Sequence, residues 1–191
     1  RIWQPIGLAA VFFLLIVNLS WAQIAVPELK SRVIDLTATL SSTDIARLEQ
    51  KLAALEKEKG SQVAVLILPT TQPESIEQYS IRVAEHWQLG RRKVDDGALL
   101  IVAKNDRALR IEVGYGLEGI LPDARTKQII EQIIIPKFKN NNFALGIEAG
   151  VDAMVRLIQG ESLPLPTAKR DAGLSANLTN SMDAILPVLV V

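Results

Sequence analysis

The sequence predicts an α/β fold, a three-layer α/β/α sandwich on a small mixed sheet that combines a parallel crossover with one hairpin. Three observations carry the prediction. Two short uninterrupted apolar runs, Val63 to Leu68 and Ala98 to Ala103, read as strands buried on both faces. Between them Ile76, Tyr79, Val83 and Trp87 fall on one face of a helix. After the second run comes the turn Lys104-Asn105-Asp106-Arg107. Beyond it Leu109, Ile111 and Val113 alternate with Arg110 and Glu112, the pattern of a half-exposed strand returning as a hairpin.

Taken in order, Ser41-Ser42-Thr43-Asp44 has the form of a capping box. Ile45, Leu48, Leu52 and Leu55 recur behind it at helical spacing until Gly60, which predicts a helix over roughly 43–59. Gln62 to Leu68, closed by Pro69, is a central strand. Ser75 caps a second helix over about 75–88 that ends by Gly90. The basic loop Arg91-Arg92-Lys93 and the turn Asp95-Asp96-Gly97 lead into the next strand, and strand–helix–strand order implies a right-handed parallel crossover. Pro122-Asp123 opens a third helix carrying Ile129, Ile130, Ile133 and Ile134 and stopping near Pro136. A fourth helix runs from Phe143 to Ile158.

The two ends read differently. Residues 1–22 start at Arg1, turn apolar from Ile6 to Leu19 and finish with Ser20 and Ala22. That is the pattern of a signal peptide cut after Ala22. Residues 161–183 are rich in Pro, Ser, Thr, Asn and Ala and read as a flexible linker. The apolar end, Ala184 to Val191, reads as the start of a transmembrane helix, which needs about 20 residues to span. These expectations place the domain at 28–160, exported to the periplasmic or extracellular side and anchored in the membrane.

Composition excludes several functions. The 191 residues carry 21 Lys+Arg and 21 Asp+Glu, which argues against a nucleic-acid binder that neutralises many phosphates. Arg1 is the only charge in residues 1–22, so cleavage leaves a net charge of −1 and the argument stands. With no cysteine and one histidine there is no disulfide, thiolate zinc site, cysteine nucleophile or multi-histidine metal site. Any metal must be held mainly by oxygens.

Topology supplies such oxygens. The hairpin brings the start of the strand at Ala98 beside the loop from Tyr115 to Asp123, so Asp95, Asp96, Glu118 and Asp123 come to one sheet edge, where they suit Ca²⁺ or Mg²⁺. Like charges that close are costly without a cation. The plainer reading makes Asp123 a cap, Asp95-Asp96-Gly97 a turn and Glu118 a solvated side chain. Gly114-Tyr115-Gly116-Leu117-Glu118-Gly119 matches G-x-G-x-x-G after a strand. Ile120-Leu121-Pro122 delays the next helix, however, and the strand belongs to a hairpin, so no dinucleotide is expected. The glycines serve positive φ or close backbone approach. His86 reads as a surface or packing residue, no nucleophile elbow supports a Ser/His/Asp triad, and Arg91, Arg92 and Lys93 form a solvated loop able to meet an anion.

The series Leu89-Gly90 with Asp95-Asp96-Gly97-Ala98-Leu99-Leu100, Glu112-Val113-Gly114-Tyr115-Gly116-Leu117-Glu118-Gly119-Ile120-Leu121-Pro122-Asp123-Ala124, and Ile135-Pro136-Lys137-Phe138 resembles the TPM domain family, also called TPM phosphatases. Val33-Ile34-Asp35 before Leu40-Ser41 looks like the family's N-terminal motif, and the resemblance covers about residues 28–158. It implies an exported α/β/α domain, behind a signal peptide and ahead of a transmembrane helix. Members of the family are linked to divalent-cation binding, to acid phosphatase activity in a thylakoid relative involved in photosystem repair, and to modulation of membrane receptors in animals. The family's acidic positions carry over to Asp95, Asp96 and Asp123, with Asp35 and Glu118 as weaker matches. Many relatives have Asp-Asn-Gly where this chain has Asp95-Asp96-Gly97. The resulting expectation is a divalent-cation-binding module that serves a membrane-protein partner, with a metal-assisted acid phosphatase as the alternative.

Overall fold

A computed structural model describes residues 23–163. The stretch read as a signal peptide, the linker beyond residue 163 and the apolar end at 184–191 lie outside the described residues. Among the described residues no helix is long and apolar enough to cross a membrane.

Four strands form one mixed sheet in the order β1 (Val33–Asp35), β2 (Gln62–Leu68), β3 (Gly97–Ala103), β4 (Ala108–Val113). β1 and β2 are parallel, as are β2 and β3, whereas β3 and β4 form the antiparallel hairpin. Alternation along β2 and β3 sends side chains to two cores. Val63, Val65, Ile67, Leu100 and Val102 face α1 (Ser42–Lys59) and α5 (Phe143–Gln159), while Leu66, Leu68, Leu99 and Ile101 face α2 (Ile76–Trp87). With helices on both faces of the sheet, the chain forms the expected three-layer α/β/α sandwich.

Local chemistry sets the element ends. Ser41 and Asp44 close a full capping box on α1, which ends at Gly60 in the left-handed region. Ser75 and Gln78 cap α2 in the same way, and its C-cap is Gln88 rather than the expected Gly90. Two features depart from the sequence reading. β1 is a strand ahead of the one read as first. The third helix does not stop near Pro136 but runs through α3 (Asp123–Gln128), a π-helical segment (Ile129–Ile134) and α4 (Ile135–Lys139). In that segment the Ile135 N–H bonds to the Ile130 carbonyl, five residues back. The wider turn falls just ahead of Pro136, whose ring and missing N–H fit poorly in a regular α-helix.

The crossovers carry a further feature, since β1 adds a second one to the crossover read from sequence. The chain steps β1 to β2 to β3 in one direction, yet α1 covers one face and α2 the other. Two parallel crossovers with the same step and opposite faces have opposite hands, so one of them is left-handed against the general preference.

Candidate functional site

The start of β3 and the loop after β4 meet at one edge of the sheet. Asp95 has φ 55, and its Oδ2 accepts the Tyr115 N–H at 2.9 Å. Its carbonyl accepts the Gly116 N–H at 2.9 Å. Gly114 and Gly116 are needed for this approach: a Cβ on either would lie inside van der Waals contact of the Asp95 or Val94 carbonyl oxygen. The first two glycines of the G-x-G-x-x-G match thus clamp the loop to Asp95, while a Cβ on Gly119 would meet open space.

The five carboxylates singled out from sequence separate into three groups. Asp95 meets the loop, and Glu118 and Asp123 are exposed on or just beyond it, with no side-chain hydrogen bond or ion pair among the described residues. Asp96 points elsewhere and is only 2% exposed. Its Oδ1 accepts the Arg91 N–H at 2.7 Å. Its Oδ2 accepts Arg91 Nε at 2.9 Å, Nη2 at 2.6 Å and the Ser61 hydroxyl at 3.4 Å. Burial pushes the Asp96 carboxyl up, but the Arg91 hydrogen bonds and charge outweigh it and hold the group below the usual carboxylate range. Asp35 lies at the other end of the sheet, since it pairs in register with Ile67. There it accepts from the Thr37 N–H, the Thr37 hydroxyl and the Leu40 N–H at 2.7–2.8 Å. Among the described residues no three His, Asp or Glu side chains are grouped to hold a metal ion.

Asp35 ties the β1–α1 turn. Asp35→Ala is expected to cost about 1–2 kcal/mol through three lost hydrogen bonds, while leaving any ligand response at Asp95 unchanged. Chemical denaturation read beside a ligand titration checks both parts.

Sequence reasoning missed the concavity beside Asp95. A groove of about 620 Å³ runs between α2, the 90–93 loop and the adjoining ends of β3 and β4. Ile81 and Ala84 form one wall, Glu112 and Val113 the other, and Arg92 and Lys93 the basic lip. The helix and loop residues carry no pattern that ties them to the strands they face, so only tertiary structure assembles this groove. At the opposite end of the sheet Asp106 is occupied by Thr70 and Thr71.

The fold and its clamped loop define a class, an α/β/α domain in which the glycine-rich turn after a hairpin is pinned to the acidic start of the neighbouring strand. The chain belongs to the TPM domain family, whose sequence model matches residues 33–157. It is similar to the N-terminal domain of a P. gingivalis protein solved by solution NMR, at 33% identity and TM-score 0.65, covering 71% of this chain and 89% of that one. The BA42 protein of Bizionia argentinensis shares the fold at 17% identity and TM-score 0.57, covering 68% of this chain and 94% of that one. The N-terminal domain of a Corynebacterium glutamicum protein does so at 13% identity and TM-score 0.54, covering 77% and 92%. No curated protein matches the chain.

Proposed function

We propose that this TPM domain is a non-catalytic binding module of an exported, membrane-anchored protein, taking Ca²⁺ or Mg²⁺ at the Asp95 edge and supporting the assembly or repair of a membrane-protein partner. The observation that carries it is the Asp95 carboxylate, held at the mouth of a groove with one oxygen bonded to the Tyr115 N–H and the other without a donor among the described residues. Oxygen donors suit hard divalent cations, which also accept carbonyl and water ligands. Glu118 and Asp123 are exposed and without side-chain partners among the described residues; they are not grouped with Asp95 in the structure and would complete the set by turning toward a bound cation. Asp96 and Asp35 are committed to structure by their hydrogen bonds and are left out of it.

A metal-assisted acid phosphatase is the second reading, favoured by the family's alternative name and by Arg92 and Lys93 on the groove's lip. There a bound cation would supply Lewis-acid polarisation of a phosphoryl oxygen. The serines that reach carboxylates do not favour covalent chemistry: Ser80 is fully buried against Glu112, Ser61 is buried against Asp96, and Ser41 caps α1 together with Asp44.

Calcium and magnesium titration followed by amide shifts tests the proposal. Shifts are expected at residues 94–96 and 114–123. The Asp95→Ala/Glu118→Ala/Asp123→Ala variant is expected to weaken binding more than about tenfold. Binding that survives in that variant, or none in the wild type, overturns the site. Turnover of p-nitrophenyl phosphate that falls by about a hundredfold or more in the variant would favour the phosphatase.

A further inference from the structure

Among the described residues the sheet ends at β4, and β4 is bonded on one side only. The Gly114 N–H donates to the Gly97 carbonyl at 2.8 Å. In the β3–β4 register this makes Ala108, Arg110 and Glu112 the residues whose main-chain groups face β3. The N–H and C=O groups of Leu109, Ile111 and Val113 therefore point outward, and none of them bonds to another described residue. The principal neighbours of β4 are β3 and α2, on its inner side and on one face. A row of alternating donors and acceptors is complementary to one kind of ligand, another extended backbone.

The side chains narrow the choice of strand. Leu109-Arg110-Ile111-Glu112-Val113 is self-complementary about Ile111. In an antiparallel pair of two copies centred there, Ile111 faces Ile111 and Leu109 faces Val113 as hydrogen-bonded pairs. Arg110 then faces Glu112 of the second copy as the closely spaced pair, with opposite charges directly across. The two faces of the strand sort in the same way. Arg110 and Glu112 lie on the α2 side, joined at 2.5 Å within the chain, while Ile111 belongs to the opposite core with Leu109 and Val113 packed against it. We infer that the β4 edge is a homodimer interface, in which two copies pair antiparallel about Ile111 to make one continuous eight-stranded sheet. A strand from an unrelated protein would satisfy the backbone but has no reason to match this charge order, so the second copy is the occupant the residues favour.

The N-terminal domain of the P. gingivalis relative is a folded unit in solution, so residues 23–163 are the piece to test. Sedimentation velocity is expected to show a monomer–dimer equilibrium. Arg110→Glu and Glu112→Arg, each with like charges opposed across the two-fold, are expected to weaken dimerisation at least about tenfold. Mixing the two restores a dimer, because each strand then meets its complement. A wild-type monomer up to millimolar concentration overturns the inference, and so does a dimer indifferent to both substitutions. Since Glu112 accepts from Ser80, its variant risks misfolding. Hydrogen exchange on the wild type needs no variant: the Leu109, Ile111 and Val113 amides are expected to gain protection with concentration. A dimer that leaves them unprotected uses another face and refutes the pairing.

Discussion

Replacing Asp96 with alanine is expected to lower stability by about 2–3 kcal/mol, the cost of deleting a buried charged acceptor that holds several donors. For a domain of this size that is roughly 6–12 °C in melting temperature. The loss falls on the 90–96 loop. The Arg91 main chain and guanidinium both terminate on Asp96, and the Ser61 hydroxyl beside β2 approaches it from the other side. Asp96→Asn keeps an acceptor for the Arg91 N–H but not the charge, so it should fall between the wild type and alanine. The pH dependence has a definite sign. Because the folded carboxyl titrates below its ordinary value of about 3.9, its stabilisation is complete above that value and is lost as pH falls through the lower folded value. The gap in melting temperature between wild type and Asp96→Asn should therefore be widest near neutral pH and close in acid, below about pH 4. A gap that widens on acidification would mean that the charged form is not the stabilising one.

This residue also marks where the sequence stopped being legible. Asp95 and Asp96 are adjacent and chemically identical, yet one is on the rim and the other is buried. A left-handed turn at Asp95 followed by the first residues of a strand sends neighbouring side chains apart. The available signal was Arg91 across a short glycine-bounded turn, which could mark a partner for one of the two aspartates without saying which. β2, β3 and β4 were readable because burial on two faces or one leaves a run or an alternation. β1 was not, since Val33–Asp35 is too short for either pattern and owes its existence to pairing with Val65, Leu66 and Ile67. The π-helical segment was hidden for a different reason: Ile129, Ile130, Ile133 and Ile134 fit a regular helix as well as a widened one. The left-handed crossover was hidden because nothing in a strand–helix–strand order records which face the helix takes.

The largest effect is expected at Trp87. The helical stripe Ile76, Tyr79, Val83 and Trp87 was legible as an apolar face, but part of what it covers was not. Besides the sheet, α2 holds residues 24–27 across its own surface. Trp87 Nε1 donates to the Pro27 carbonyl at 2.7 Å, the Tyr79 hydroxyl to the Ala25 carbonyl at 3.2 Å, and Arg82 Nη2 to the Ile24 carbonyl at 2.7 Å. Ile24 and Val26 pack on the same core. Trp87→Ala removes a large buried ring and one tether together, and is expected to cost roughly 3–5 kcal/mol. Trp87→Phe retains most of the apolar area and loses the N–H, so a smaller loss of about 1 kcal/mol from the hydrogen bond is expected beside a packing change. The two variants separate the roles of the ring. If the tether positions the segment, Trp87→Phe moves the Ile24, Ala25 and Val26 amide shifts toward unfolded values while the α2 and β3 shifts stay native. If apolar packing alone holds it, those shifts stay in place in Trp87→Phe and move only in Trp87→Ala. Melting temperature and amide shifts measured on both variants decide between hydrogen bonding and packing as the force that fixes the chain's entry into the domain.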